Sequence, residues 1–247
     1  MQPTFVDLGR MAYAPAYQAQ LEHFQAVLDS RQSGKPEVGR ILLVEHDPPV
    51  ITVSRRQGAA SHLLASPDHL ARLGVEVSET DRGGDITYHG PGQLVAYPIL
   101  DLNALGLNLH AYMRLLEQVA MDTCAAFGVV TERDACATGV WVPRDRAVGE
   151  PAGTAACAGV GSAKVCALGV RVRRWVSMHG LALNVTTNLD HFKLIVPCGL
   201  VGRPVTSLCN ELGERCPTMQ DVKRELSHAL IARCHEQLAS GRNAAMR

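Results

Sequence analysis

The stretch from Arg82 to Gln93, RGGDITYHGPGQ, is the most informative part of this 247-residue chain. Its four glycines and one proline predict a loop rather than the interior of a helix or strand. The same stretch carries a cation, Arg82, and a titratable ring, His89, beside neutral polar groups. Because glycine lets a backbone approach a ligand closely, and because such side chains orient a ligand, we expect a binding loop. The alternative is a tight turn between two strands.

The composition limits the classes of protein that the chain can belong to. Lys and Arg number 24 and Asp and Glu number 24, so no overall attraction to nucleic acid or to an anionic membrane is expected. The first thirty residues lack the apolar core of a signal peptide, and no apolar run is long enough to span a bilayer. The eight cysteines are therefore expected to be reduced thiols in a cytoplasmic protein.

Short runs rich in Val, Ile and Leu alternate with longer helical patterns and predict an α+β fold, a sheet with helices packed against it. The predicted strands are Arg40–Glu45, Val50–Ser54, Val75–Glu79, Gln93–Leu100, Gly139–Val142, Ala163–Arg173 and Leu181–Val185. The predicted helices are Tyr13–Arg31, Asn108–Phe127 and Thr218–Ala239, with Gly128 ending the second and Thr218 and Asp221 capping the third.

Cys198 and Lys164 are candidates for catalytic chemistry. Cys198 lies between Pro197 and Gly199, which leaves its sulfur uncrowded, whereas a generic cysteine is an inert small hydrophobe. A thiol attacks only as the thiolate, so a base must accept its proton. Histidine is the usual base, and ten are available. Lys164 lies in an apolar run that could desolvate its amine, but a lysine reaching to solvent fits the same pattern.

Five ordered motifs between about residues 40 and 210 resemble the octanoyltransferases (lipoyl(octanoyl) transferases) of lipoate biosynthesis. The Arg82–Gln93 stretch is similar to the signature of that family. The others are His46–Val50 with Ser54–Arg56, Lys164–Val172, His179–Val185, and Pro197–Leu200 followed by Gly202–Leu208. The interval between Lys164 and Cys198, 198 − 164 = 34 residues, also matches the family.

The resemblance implies a mixed β-sheet flanked by helices, as in the catalytic domain of biotin and lipoate protein ligases. It implies that Cys198 accepts the octanoyl group as a thioester and that Lys164 acts as its base. The resemblance also places three walls around the acyl group. The first wall consists of Arg82, Gly83, Gly84, Asp85, Ile86, Thr87, Tyr88 and His89. The second consists of Ala167, Leu168 and Gly169, and the third of Gly180, Leu181 and Ala182. His89 or His179 is a candidate for orienting a carbonyl or relaying a proton, with a purely structural histidine as the alternative.

The implied donor is octanoyl-acyl carrier protein. The implied acceptors are lysines on the lipoyl domains of 2-oxoacid dehydrogenase complexes and on the glycine cleavage H protein. No cofactor, metal, nucleic acid or membrane is implied, and a monomer is expected. We expect one catalytic domain over residues 1–247, with a flexible insertion at about 145–161, rich in Gly and Ala from 149 to 161, and a C-terminal helix at about 218–239.

Three other functions remain as alternatives. An ATP-dependent lipoate or biotin ligase would share the fold, but the longer glycine-rich string of lipoate ligases is missing from the sequence. A metal or redox protein is suggested only by the number of cysteines, and their spacing does not resemble that of zinc ligands. A carrier-binding module without catalysis would not need both Cys198 and Lys164.

Overall fold

A computed structural model describes residues 2–35, 37–144, 162–196 and 203–245, and the side chains among them up to residue 240. The strands in these ranges are β1 (Thr4–Met11), β2 (Gly39–His46), β3 (Val50–Ser54), β4 (Glu76–Thr80), β5 (Ile86–His89), β6 (Gln93–Leu100), β7 (Glu132–Arg133), β8 (Val140–Val142), β9 (Ala163–Arg173) and β10 (Val176–Asn184). The α-helices are α1 (Tyr13–Gln32), α2 (Pro67–Leu73), α3 (Leu109–Ala126), α4 (Leu208–Leu212) and α5 (Met219–Ala245).

The strands form a large and a small sheet. The large sheet has the order β1-β2-β6-β10-β9-β8-β7 and is antiparallel except for the parallel pair β1 and β2. The small sheet has the order β4-β3-β5, with β4 parallel and β5 antiparallel to β3. The mixed, helix-flanked sheet predicted from the sequence is confirmed.

Alternating side chains of β2 separate the two faces of the large sheet. Ile41 and Leu43 pack in the core that contains α3 and α5, and Leu42 and Val44 pack in the core that contains α1. This is the two-residue period of a strand buried on both faces. A third cluster joins the small sheet to α2 and to the 3₁₀ turn Leu189–Leu194.

The predicted strands and helices are present, with some changes in their limits. Strand β10 begins at Val176 instead of Leu181, and α5 runs to Ala245 instead of Ala239. Strand β1 and helix α2 are not among the predicted elements. The caps are as predicted: Gly128 has a φ of 79° after α3, and the Thr218 hydroxyl accepts a hydrogen bond from the Asp221 N–H.

The expectation that Arg82–Gln93 is a loop throughout is wrong for Ile86–His89, which form β5. These four residues are β-branched or aromatic, apart from the histidine, and their side chains alternate. Ile86 and Tyr88 face the apolar cluster, while Thr87 and His89 face a cavity on the other side. The flanking glycines mark the ends of this strand rather than one continuous loop.

The two sheets touch where glycines allow backbone to approach backbone. The Gly83 N–H donates to the Val170 carbonyl at 2.9 Å. A Cβ on Gly169 would lie 2.8 Å from the Gly83 oxygen, which is closer than real Cβ atoms come. The Arg82 guanidinium donates to the Thr52 carbonyl of the small sheet at 2.8 Å. The junction therefore has no room for a side chain at position 169, and a Cβ at position 83 would lie a tight 3.2 Å from the Val170 oxygen.

The cysteines are only partly as expected. Cys124, Cys166, Cys209, Cys216 and Cys234 are free thiols, whereas Cys136 is in a disulfide bond. The expectation of reduced thiols is thus wrong for Cys136, an exposed residue of the loop between β7 and β8 that another thiol can reach.

Two further expectations concern the remainder of the chain. Within the described ranges, no helix combines the length and the apolar character that crossing a membrane requires. The predicted insertion at about 145–161 lies outside the described residues except at its edges, so its expected flexibility stays a prediction.

We expect Gly180→Ala to destabilise the fold, because a Cβ there would lie 2.3 Å from the Ala96 oxygen and 2.5 Å from Pro98 Cδ. The expected loss in the free energy of unfolding is about 3 kcal/mol, measured by urea titration. Gly34→Ala is the control. Its site has a φ of +71° but nothing within 4 Å, so only the backbone strain of about 1 kcal/mol is expected. Equal losses in the two variants would contradict the close-packing explanation.

Candidate active site

A narrow cavity of about 40 Å³ opens beside the junction of the two sheets. It brings together residues from all three predicted walls: Arg82, Gly83, Thr87 and His89 from the first, Ala167, Leu168 and Gly169 from the second, and Gly180, Leu181 and Ala182 from the third. Strands β9 and β10 pair Gly169 with Gly180 and Ala167 with Ala182, so the second and third walls are neighbours in one sheet.

Four residues of the first predicted wall do not line this cavity. Ile86 and Tyr88 are buried in the apolar cluster behind β5. Asp85 accepts a hydrogen bond from Arg56 at 3.3 Å. Gly84 lines a second, neighbouring cavity. The alternation of β5 explains the separation, since adjacent residues of a strand face opposite sides.

The structure adds Tyr13, Val95, Tyr97 and His179 to the cavity wall. From the sequence, His179 is a candidate for a chemical role but not one of the residues predicted to line the acyl site. Tyr13 starts α1, and Val95 and Tyr97 alternate along β6. No local motif marks Tyr13, Val95 or Tyr97, and the pairing of β6 with β10 brings Val95 and Tyr97 to the cavity.

Two neutral histidines lie at one side of the cavity, His89 in its wall and His46 next to it. His46 donates from Nδ1 to the Met11 carbonyl at 3.1 Å and accepts from the Tyr97 hydroxyl at Nε2, at 2.7 Å. Burial lowers the pKa of His46 to about 4. His89 donates from Nδ1 to the Gln93 side-chain oxygen at 2.8 Å, and burial lowers the pKa of His89 well below its ordinary value. Both rings are therefore uncharged near neutral pH.

The ionised carboxylate of Asp81 lies beside the cavity, next to the wall residue His179. The Asp81 carboxylate accepts from His179 Nε2 at 2.9 Å, from the Tyr17 hydroxyl at 3.0 Å and from Arg171 at 2.6 Å. The hydrogen bond from His179 is the main reason that the pKa of Asp81 falls to about 2. Because Asp81 occupies Nε2 of His179, that nitrogen is fixed as a donor and orients the ring.

Lys164 is clamped on several sides. Its side chain is buried, and Nζ donates to the Thr138 carbonyl at 3.1 Å. Its backbone N–H donates to the Pro204 carbonyl, and its carbonyl accepts from the Thr206 N–H, both at 2.9 Å. A Cβ on Gly139 would lie 3.0 Å from Lys164 Cε, so glycine at position 139 leaves room for the lysine. The predicted alternative of a lysine reaching to solvent is wrong, because the apolar strand and this clamp enclose the amine.

Lys164 lines the second cavity, not the first. This space of about 500 Å³ has apolar side chains on part of its wall, from Leu109, Met113, Leu168, Val170 and Val172, and polar ones from Arg56, Cys136 and Thr138. The two cavities share Gly83, Leu168 and Gly169. Lys164 and the wall of Ala167 and Ala182 therefore belong to neighbouring cavities that meet at the glycine junction.

Cys198 lies outside the described residues, so its distance from Lys164 stays a prediction. The described residues on either side are firmly held. The Val196 N–H donates to the His62 carbonyl at 2.8 Å, and Val205 forms a bridge with Lys164 itself. The chain that follows Cys198 therefore rejoins the structure on the lysine.

The fold is shared with lipoate and biotin protein ligases. A bipartite lipoate protein ligase from Thermoplasma acidophilum superposes with a TM-score of 0.65 at 15% identity, over 95% of this chain and 84% of that one. The biotin protein ligase from Aquifex aeolicus gives 0.50 at 11% identity, over 94% of this chain and 71% of that one. At such identities the likeness establishes the architecture alone.

The sequence comparisons identify the family. The lipoyl protein ligase A/B catalytic domain matches residues 16–231, and the chain belongs to that family. An octanoyltransferase of Bacteroides fragilis is 42% identical over 232 residues, covering 94% of this chain and 98% of the relative. An octanoyltransferase of Koribacter versatilis is 43% identical over 88% of this chain and 78% of the relative. The reaction of the chain is octanoyl transfer in protein lipoylation.

We expect the stability of the protein to fall as the pH drops from about 6.5 to about 4. The folded pKa of His46 is lower than its unfolded value of 6.5, so protons bind the unfolded chain more tightly in that interval. The contribution of His46 is complete above pH 6.5 and is lost as the pH falls, by about 3 kcal/mol. Urea titrations of wild type and His46→Gln across this interval should give a flatter dependence for the variant. Parallel curves would show that His46 is not the responsible group.

Proposed function

We propose that the transfer runs through an octanoyl thioester on Cys198, with Lys164 as the base. The observation that supports this best is the environment of Lys164, a buried amine in a partly apolar cavity that shares a wall with the cavity of the three predicted walls. Burial disfavours the charged form of a lysine, and a neutral amine is what a base requires. The 34-residue spacing to Cys198 adds the family pattern.

In the proposed first step Lys164 Nζ takes the proton of the Cys198 thiol. The thiolate attacks the carbonyl carbon of octanoyl-acyl carrier protein, the bond from that carbon to the carrier sulfur breaks, and the carrier thiolate takes the proton from Lys164. In the second step the ε-amine of an acceptor lysine attacks the new thioester and gives a proton to Lys164. Cys198 leaves as the thiolate and recovers that proton. Dividing the transfer lets each protein substrate visit in turn.

The first cavity is proposed as the site of the acyl chain. Its wall contains Val95, Ala167, Leu181 and Ala182, which are apolar and for the most part deeply buried. Each methylene buried against such a wall contributes about 0.8 kcal/mol. Because the His89 ring is uncharged, it places no buried charge against the acyl chain. Arg82 is held by Thr52, so it shapes the wall through its bonds to backbone.

The substrates are proposed on the same basis. The donor is octanoyl-acyl carrier protein, and the acceptors are lysines of lipoyl domains and of the glycine cleavage H protein. The proposal includes a monomeric catalytic domain over residues 1–247, working in the cytoplasm without ATP or metal.

We expect Cys198→Ala to abolish transfer and Lys164→Ala to reduce it by at least about a hundredfold, as loss of a general base does. The measurement is intact mass after mixing with octanoyl-acyl carrier protein, without ATP, followed by peptide mapping of the adduct. Cys209→Ala is the matched control, because Cys209 is a free, partly exposed thiol away from both cavities, and full activity is expected. An octanoyl adduct on any other residue, or turnover by Cys198→Ala, would reject the covalent mechanism.

We expect Ala182→Leu to shift the preference toward shorter acyl chains, because the larger side chain fills part of the cavity. Each methylene excluded should cost about 0.8 kcal/mol, about a fourfold loss in kcat/KM. The assay compares octanoyl with hexanoyl and butanoyl donors in the variant and in wild type. If the variant lost activity equally with all three donors, the chain would not lie against Ala182.

A further inference from the structure

Trp141 is the point at which two cationic side chains meet. Its ring is fully buried, and Trp141 is the partner of Lys164 in the pairing of β8 with β9. Lys164 Nζ lies 4.6 Å from the centroid of the ring, and the guanidinium carbon of Arg203 lies 3.8 Å from it. An aromatic face attracts cations, and Arg in particular stacks on it. Arg203 has no part in the mechanism described so far.

Asp134 fixes Arg203 in this position. The two side chains form a close ion pair in which the Asp134 side chain is fully buried and that of Arg203 is 17% exposed. The Asp134 carboxylate also accepts from the Cys136 N–H at 2.7 Å. Removing one partner of a buried pair leaves an uncompensated charge, so this pair holds a definite geometry.

Both partners of the ion pair belong to backbone that touches Lys164. Arg203 precedes Pro204, whose carbonyl accepts from the Lys164 N–H at 2.9 Å. Asp134 begins the loop that contains Thr138, whose carbonyl accepts from Lys164 Nζ. The pair therefore ties together the two segments that hold the lysine.

Four carboxylates and four arginines lie near this lysine among the residues that the structure describes, and each of these carboxylates has a partner. Glu117 of α3 receives both Arg114, at 2.7 Å, and Arg133, at 3.1 Å, and it accepts from the Gly139 N–H. Each of the other nearby carboxylates has an arginine or hydroxyl partner: Asp134 pairs with Arg203, Glu211 with Arg144, and Glu132 with Ser162. Burial raises the pKa of the nearby Cys166 thiol and keeps that thiol neutral.

We propose that Arg203, held on Trp141 by Asp134, is a positioning residue for Lys164, and that its permanent charge keeps the lysine amine in the neutral, proton-accepting form. The inference rests on the proposed role of Lys164 as base. A guanidinium stays charged at any pH that the protein tolerates. A second cation beside it is disfavoured, so the thiol and amine together lose their shared proton at a lower pH than they would without Arg203.

The test is the pH dependence of Cys198 alkylation by iodoacetamide, followed by peptide mass in the full-length protein. Arg203→Gln should move the rising limb of the profile about 1 pH unit upward. Asp134→Asn should move it downward, because the charge of Arg203 is then less compensated. Arg203→Lys, which keeps the charge, should stay close to wild type. Structural damage alone does not produce shifts of opposite sign, so shifts in one direction, or none, would overturn the proposal.

The Lys164→Met background separates this inference from the proposed function. There Arg203→Gln should move the profile by less than half as much, since the lysine is gone. An equal shift would show that Arg203 acts on the thiol directly, and the inference would be rejected. Full transfer by Lys164→Met itself would reject the role of Lys164 as base. If Arg203→Gln does not fold, as judged by urea titration, the downward shift in Asp134→Asn decides the question.

Discussion

The site depends on one steric constraint, the contact of backbone with backbone at Gly83 and Gly169. The small sheet carries the Arg82–His89 stretch, and the large sheet carries β9 and β10. Because Gly169 has no Cβ, the backbone of β9 comes within hydrogen-bonding distance of Gly83, and residues of both sheets, among them Thr87 and Ala182, line one cavity. The glycines of the two motifs thus have a steric explanation that does not involve a ligand.

Charge is distributed unequally on the two sides of this junction. Beside the first cavity, burial keeps His46 and His89 neutral, and the ionised Asp81 is satisfied by three donors. Beside the second cavity, Lys164 lies among carboxylates that are already paired, most of them with arginines. An apolar chain suits the first environment, and proton transfer by a lysine suits the second. Both need desolvation, which the packed strands provide.

The sequence predicted much of the fold because its strong signals are local. Gln93–Leu100 and Ala163–Arg173 are apolar runs with clear ends, and the structure reproduces both limits. Strand β5 was missed because it is only four residues long and its glycine neighbours dominate the local composition. Strand β1 was missed because its side chains are only partly buried, so its sequence lacks a strong apolar pattern.

The site was predicted less completely, since its parts come from distant segments. Tyr97 reaches the cavity through the pairing of β6 with β10, and Tyr13 reaches it from the start of α1, and no short motif encodes either placement. The contact of Arg203 with Trp141 joins positions 62 residues apart, 203 − 141 = 62, and depends on the backbone bridge between Lys164 and Val205. Family motifs identified which residues matter, but packing decides which neighbour each one acts upon.

In the proposed arrangement the acyl chain and the base occupy different sides of the glycine junction. A crystal structure of the octanoylated enzyme tests this directly. We expect density for the eight-carbon chain between Ala167 and Ala182, with its thioester end toward Leu168 and Lys164. Density for the chain along Val170 and Val172 in the second cavity would contradict it.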